Sequence, residues 1–204
     1  MDKNQILFKF QSGFRESHST DSCLSYLNDK ILTGFDKGLI TGMIAIDLQK
    51  AFDTINHSIL LEKMSNICFS EKAISWIESY LSNRTFFVGV DNQISDEAVL
   101  NCGVPQGSIL GPLLFLIYVN DMSEAVQSDL YLYADDSCLM CQHKDINYIN
   151  RQLNEDFSNL CDWFVNNKLS IHFGEDKTKS IVFASKQNLK KIGKLNITYN
   201  NREI

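Results

Sequence analysis

The sequence predicts an α+β fold, an antiparallel sheet with helices gathered to one side. Three observations carry that reading. The apolar run Leu39 to Leu48 has the length of a buried strand, two short apolar segments flank Ala134, Asp135 and Asp136, and amphipathic stretches of helical period separate them. The resulting order is strand, helices, hairpin, helix, hairpin, helix, strand, compatible with a split β-α-β plan.

From Ser19 to about Phe35 the apolar residues Leu24, Leu27, Ile31, Leu32 and Phe35 recur at helical spacing. Ser19 or Thr20 can cap this helix and Gly38 lies just beyond its end. After the strand Leu39 to Leu48, two helices follow at His57 to Ile67 and Ser70 to Leu81. Ser70 caps the second, whose Ile74, Ile77 and Leu81 share one face. Asn83 and Arg84 form a break. Phe86 to Val90 and Ala98 to Asn101 then read as two strands of a hairpin, with Asp91 and Asn92 near the turn.

Ser108 to Val126 is apolar nearly all round and predicts a buried helix, with Pro112 in its first turn. Leu130 to Tyr133 and Ser137 to Cys141 are strands around the Asp135-Asp136 bend. An amphipathic helix is expected from about Asp145 to Val165, then strands at Ser180 to Phe183 and Leu195 to Tyr199.

A chain of 204 residues with 44% apolar and 22% charged residues has ordinary globular composition, so one domain is expected and disorder is not. The longest apolar stretch, Ile109 to Val119, is broken by Gly111 and Pro112 and is too short for a membrane span. Met1 to Phe10 has no basic region followed by an apolar run, so an intracellular soluble protein, in cytoplasm or nucleus, is the expectation. The sequon at Asn196 carries little meaning without secretion. Cys23, Cys68, Cys102, Cys138, Cys141 and Cys161 are then expected as buried thiols, not disulfides. Cys138 and Cys141 form a C-x-x-C with His143 behind, but no second pair exists to complete a zinc site. The net charge of −6 has the wrong sign for a chain that chiefly grips nucleic acid, although Lys177 to Lys194 holds six lysines and no acid. That run is either a solvated surface or a phosphate-facing edge.

The acids are placed suggestively. Asp47 ends an apolar strand, and Asp135 and Asp136 sit in a bend between two more. Adjacent carboxylates repel unless a cation neutralises them, and oxygen-only ligands suit Mg²⁺. Two such ions about 3.5–4 Å apart can activate an attacking oxygen and stabilise a leaving one. Asp is also an ordinary turn residue, so the bend needs no function. A second cluster, Gly103-Val104-Pro105-Gln106-Gly107-Ser108, leads into the buried helix. Gly107 allows close backbone approach to a ligand and Gln106 can hydrogen-bond a base or sugar edge, or the loop merely starts a helix.

Five stretches, in order, carry a specific resemblance. They are Q-S-G-F-R-E-S-H-S-T (Gln11 to Thr20), A-I-D-L-Q-K-A-F-D-T-I-N-H (Ala45 to His57), C-G-V-P-Q-G-S-I-L-G-P-L-L-F-L-I-Y-V-N-D (Cys102 to Asp121), Y-A-D-D (Tyr133 to Asp136) and N-K-L-S-I-H-F-G-E-D-K-T-K (Asn167 to Lys179). The chain resembles the reverse transcriptase domain of non-LTR, LINE-type retrotransposons, with the palm motifs over about Gln11 to Phe183 and a basic segment from Ala184 to Ile204. The resemblance implies a polymerase palm, an antiparallel sheet backed by helices, with partial fingers and no complete thumb.

The resemblance further implies RNA-directed DNA polymerase activity: two-metal nucleotidyl transfer to a DNA primer 3′ end, with deoxynucleoside triphosphates as substrates and RNA as template. Carried over by position, Asp47 and Asp135 would bind both Mg²⁺ ions, Asp136 would complete the carboxylate set, and the Leu48 carbonyl would face a metal. Phe52 matches the aromatic that selects deoxyribose, or is a core phenylalanine beside Ala51 and Ile55. Gln106 and Gly107 would line the incoming nucleotide and template base. Lys177 matches a lysine that protonates or steadies pyrophosphate. Arg15 would meet phosphate or template, or pair with Glu16. Asp53 and His57 fit the family pattern, or cap and orient the following helix.

The family carries finger strands upstream of the first of these motifs, a primer-gripping hairpin and helical thumb downstream of the last, and an endonuclease in complete elements. Gln11 lies near the start and the chain stops at Ile204. The expectation is an intact metal site with little or no processive activity. The alternatives are a catalytically inactive retroelement remnant with at most RNA binding, or a palm-like cyclase or other nucleotidyl enzyme, against which the Gln106-Gly107 loop and Phe52 argue.

Overall fold

In the computed structural model, which describes residues 6–174, 177–189, 192–200 and 202–204, the chain begins with α1 (Thr20–Asp36), β1 (Ile40–Ile46), α2 (His57–Asn66), α3 (Glu71–Leu81), β2 (Arg84–Phe86) and β3 (Gly89–Val90). It continues through β4 (Gln93–Ile94), β5 (Ala98–Leu100), α4 (Leu110–Tyr118), β6 (Asp129–Tyr133) and β7 (Asp136–His143). It closes with α5 (Ile146–Asn166), β8 (Lys179–Phe183), α6 (Lys186–Leu189), β9 (Thr198–Tyr199) and β10 (Arg202–Glu203). These elements form two compact units, one of Met1–Gln49 with Asn120–Ile204 and one of Lys50–Val119. Among the described residues no helix is long and apolar enough to cross a membrane.

The first unit is built on a four-stranded sheet in the order β6-β7-β1-β8, with every neighbouring pair antiparallel. Because β7 opposes both β6 and β1, those two run parallel with β7 inserted between them, which is the split arrangement. Strand side chains alternate faces. Ile40, Ile44 and Ile46 of β1 point to the side covered by α5, whose Ile149, Leu153, Phe157, Leu160 and Phe164 are buried along one stripe. Each such side chain contributes roughly 1.5–3 kcal/mol on burial, so this helix is the main apolar anchor of the sheet. Gly42 makes the close approach possible: a β-carbon there would lie 2.4 Å from Ile149 Cγ2 and 2.9 Å from Leu153 Cδ1.

The opposite face of the sheet is less covered. Helix α1 starts at Ser19, whose hydroxyl accepts from Ser22 N while Ser22 Oγ accepts from Ser19 N. Within α1 only Gly34 is fully buried; Cys23, Leu27, Ile31 and Phe35 are half-buried, and Leu24 and Leu32 of its expected apolar face are exposed.

In the second unit, Asn56 and Ser70 cap α2 and α3 through Ile59 N and Ala73 N. The single expected hairpin is instead two small antiparallel pairs, β2 with β5 and β3 with β4. Asp91 and Asn92 both take positive φ, 48° and 64°, giving the tight turn that suits a two-residue hairpin. The strand on the N-terminal side starts at Arg84, where the sequence suggests a break.

Two further expectations are corrected. The helix expected over Ser108 to Val126 ends at Tyr118, and a separate 3-10 turn follows at Met122–Ala125. Asn120 interrupts it: its side chain accepts from Phe8 N at 2.7 Å and donates to the Ile6 carbonyl at 2.9 Å, a long-range clasp that replaces helical continuation. The strand expected over Leu195 to Tyr199 shrinks to Thr198–Tyr199, paired with β10.

All six cysteines are free. Cys141 and Cys161 are buried and Cys23 and Cys138 half-buried, but Cys68 and Cys102 are exposed, contrary to expectation. Cys68 sits at φ 64° just past the end of α2, where chain reversal takes precedence over burial. Three residues apart on β7, Cys138 and Cys141 fall on opposite faces of the sheet and cannot share a metal. Burial pushes the Cys138 thiol up to about 12.

Candidate active site

Ile46 of β1 pairs with Ser137 of β7. The residues beyond them, Asp47 and Asp136, therefore stand at the same end of neighbouring strands. Asp136 also pairs with Tyr133 across the β6–β7 hairpin, leaving Ala134 and Asp135 as the turn. Asp47, Asp136 and Lys177 line one cavity of about 450 Å³. Met43, Ala45, Tyr131 and Cys138 line it from the sheet, and Cys23 and Leu27 from α1.

The electrostatics follow from that crowding. Partial burial pushes the Asp136 carboxyl above its ordinary value; the charges of Asp135 and Asp47 push it further, and Lys177 offsets part of the effect. The Tyr131 phenol is raised as well, first by burial and then by Asp129, and its buried oxygen has no partner among the described residues.

Asp47 is the most firmly held of the acids. Its N–H donates to Thr178 Oγ1 at 3.2 Å, and its carbonyl accepts from His172 N at 2.8 Å. Its Oδ2 accepts from His172 Nδ1 at 3.1 Å and lies 3.5 Å from Lys177 Nζ. Leu48 forms an antiparallel bridge with Ile171, and Gln49 N donates to the Ser170 carbonyl, so the segment 170–172 runs alongside 47–49. Residues 175 and 176 of this fourth motif, and 190, 191 and 201 of the basic C-terminal segment, lie outside the described residues.

Among the described residues no group of three or more His, Cys, Asp or Glu side chains is arranged to hold a metal. In kind the residues suit a hard cation. Two carboxylates face one cavity with a third beside them in the turn, and bound positive charge would offset the upward push on Asp136, which comes first from burial and then from the charges of Asp135 and Asp47.

Arg15 is tied to its own neighbourhood: Nη1 donates to the Phe8 carbonyl at 3.2 Å and the Gln11 carbonyl at 2.9 Å. Phe52, Gln106 and Gly107 belong to the Lys50–Val119 unit. Phe52 is half-buried and stacks on Phe115, with ring centroids 4.7 Å apart. Exposed Gln106 donates from Nε2 to Asp53 Oδ1 at 2.8 Å, and Gly107 adopts φ 74°. His57 Nε2 donates to the Gly103 carbonyl at 2.8 Å, tying the start of α2 to the Gly103 loop; the cap itself is Asn56.

Two contributors escape sequence reasoning. His172 carries no local signal, because a lone loop histidine gains meaning only when its loop meets the end of β1. Gln11 appears merely as a motif letter, yet it is 2% exposed and its side chain reaches the Asp135 turn.

Known proteins resemble the chain over most of its length. The family model described as reverse transcriptase (RNA-dependent DNA polymerase) matches residues 1–197. A probable RNA-directed DNA polymerase from transposon BS of Drosophila melanogaster is 35% identical over 171 residues, 80% of this chain and 19% of that protein. The RNA-directed DNA polymerase from mobile element jockey of the same organism is 30% identical over 193 residues, 91% of this chain and 21% of that protein. The chain thus spans about a fifth of the length of these curated relatives. Among solved structures, apo telomerase from Candida tropicalis truncated from its C-terminal domain superposes with TM-score 0.56 at 17% identity, over 84% of this chain and 36% of that one. That likeness is one of fold.

Proposed function

This chain belongs to the reverse transcriptase (RNA-dependent DNA polymerase) family, alongside the polymerases of non-LTR retrotransposons, and we propose that it is the palm-bearing part of an enzyme that adds deoxynucleotides to a DNA primer on an RNA template. The observation that supports this most is the meeting of Asp47 and Asp136 at one end of adjacent strands, in one cavity with Lys177 and with Asp135 beside them.

In this reading Asp47, Asp135 and Asp136, with the Leu48 carbonyl, would hold two Mg²⁺ ions. When bound, such ions activate an attacking oxygen and stabilise a leaving one. The chain's own residues do the rest. Asp47 is fixed at the strand end through its backbone, its N–H donating to Thr178 Oγ1 and its carbonyl accepting from His172 N, so little main-chain freedom is lost on binding a cation. Lys177 supplies positive charge beside the acids and steadies or protonates the pyrophosphate that departs. Phe52 selects deoxyribose by crowding the 2′ position, Gln106 and Gly107 meet the incoming nucleotide and template base, and Arg15 meets phosphate. The reading puts the chain in the cytoplasm or nucleus, where its template and triphosphates are.

Primer extension on poly(rA)/oligo(dT) with Mg²⁺ tests it. The expected product is a primer lengthened by one or a few nucleotides and lost on omission of Mg²⁺. No addition, even with enzyme in excess over primer, favours the inactive remnant and overturns the proposal. Long products overturn the expectation of weak processivity.

A further inference from the structure

Asp135 follows a residue in an uncomfortable conformation. Ala134 takes φ 56°, the left-handed region that disfavours any residue with a β-carbon. It lies in the β6–β7 turn, and β6 is the edge strand of its sheet, so among the described residues no further strand of that sheet braces the turn from outside.

The bracing comes from the segment before α1. Leu132 N donates to the Phe10 carbonyl at 3.0 Å and Ser12 N donates to the Leu132 carbonyl at 2.8 Å, which lays Gln11 in a parallel bridge against Leu132. Gln11 then turns its side chain inward. Its Oε1 accepts from Ala134 N at 3.1 Å and from Gly13 N at 2.8 Å, so one oxygen ties the strap to the turn. Those two N–H donors fix which way the amide faces, and they leave Nε2 buried without a partner among the described residues. The acceptor is therefore the useful end. Gly13 completes the fit: a β-carbon there would lie 2.1 Å from Ala134 N. The strap is itself anchored, by Asn120 at Ile6 and Phe8 and by Arg15 at the Phe8 and Gln11 carbonyls.

We infer that Gln11 and Gly13 are positioning residues, which hold the Ala134 turn left-handed and so set the directions of Asp135 and Asp136. The consequence for cation binding rests on the reading of those acids given under the proposed function; the hold on the turn does not.

The test uses the full chain with Gln11→Met, which replaces the oxygen by a weakly accepting sulfur, Gln11→Glu, which keeps an oxygen acceptor, and Gly13→Ala. Thermal melts and far-ultraviolet circular dichroism establish that each folds. Amide hydrogen exchange at Ala134 is expected to quicken about tenfold in Gln11→Met and Gly13→Ala, with β1 amides unchanged, and to return to within about twofold of wild type in Gln11→Glu. Mn²⁺ titration followed by electron paramagnetic resonance is expected to show about tenfold weaker binding in the same two variants, again rescued by Glu. Unchanged exchange at Ala134 in folded Gln11→Met overturns the inference. So does unchanged Mn²⁺ affinity in that variant when Asp135→Asn weakens it. If Asp135→Asn binds Mn²⁺ as wild type does, the metal reading fails instead, and the exchange measurement alone decides for or against the positioning.

Discussion

The Nδ1 of His172 lies 3.1 Å from Asp47 Oδ2, and the same two residues are joined again through backbone, His172 N to the Asp47 carbonyl at 2.8 Å. The side-chain bond occupies an oxygen that a cation would need. His172→Phe keeps the backbone bond and removes the competitor, so Mn²⁺ should bind about threefold more tightly, the scale of a partly exposed ion pair. Calorimetric titration of both proteins checks it.

Lys177 shares that oxygen at 3.5 Å but plays a different part. Removing its charge frees Asp47, yet also removes positive charge from the place where pyrophosphate departs. Lys177→Met should lower the rate of first-nucleotide addition about a hundredfold while the KM for the triphosphate changes little. Rapid-quench kinetics with enzyme in excess separates the two quantities.

Asp136 gives a pH dependence of definite sign. Burial, then Asp135 and Asp47, favour its protonated form in the folded chain. Above the ordinary value of 3.8 the folded chain therefore holds more protons than the unfolded one, and stability falls as pH rises through the raised folded value. Asp136→Asn removes this effect. It should raise Tm by about 1–2 °C at neutral pH, with the gain vanishing near pH 3, while abolishing nucleotide addition. Melting curves at the two pH values check the sign.

Away from the site, Asp156 is fully buried on α5, and its two oxygens accept from Gln127 N and Ser128 N at 2.9 Å each. Asp156→Ala removes both acceptors from these part-buried N–H groups and should cost about 2 kcal/mol in urea unfolding. Gly42→Val drives a side chain into Ile149 and Leu153 and should cost about 2 kcal/mol or more.

Local pattern made much of this fold legible. Ser19 and Ser70 announced two helices because a cap followed by an apolar period is a local signal, and α5 declared itself by its single buried stripe. The end of α4 was hidden, since apolar residues continue past Tyr118 and the clasp of Asn120 on Ile6 and Phe8 spans more than a hundred positions. Asp47, Asp136 and Lys177 stood out because an acid at a strand end, paired acids in a bend and a familiar motif order can be read along the chain. His172 and Gln11 could not, because each acts on a residue over a hundred positions away, and only the folded chain reveals the partner.

In the two-metal reading Asp47 and Asp135 act as one unit in nucleotide addition. Single-turnover incorporation of one deoxynucleotide on an RNA-templated primer, measured for Asp47→Asn, Asp135→Asn and the double variant, tests it most directly. Each single change should cost about a thousandfold, and the double should be no worse than either. Wild-type incorporation by either single variant refutes a shared role for the two acids.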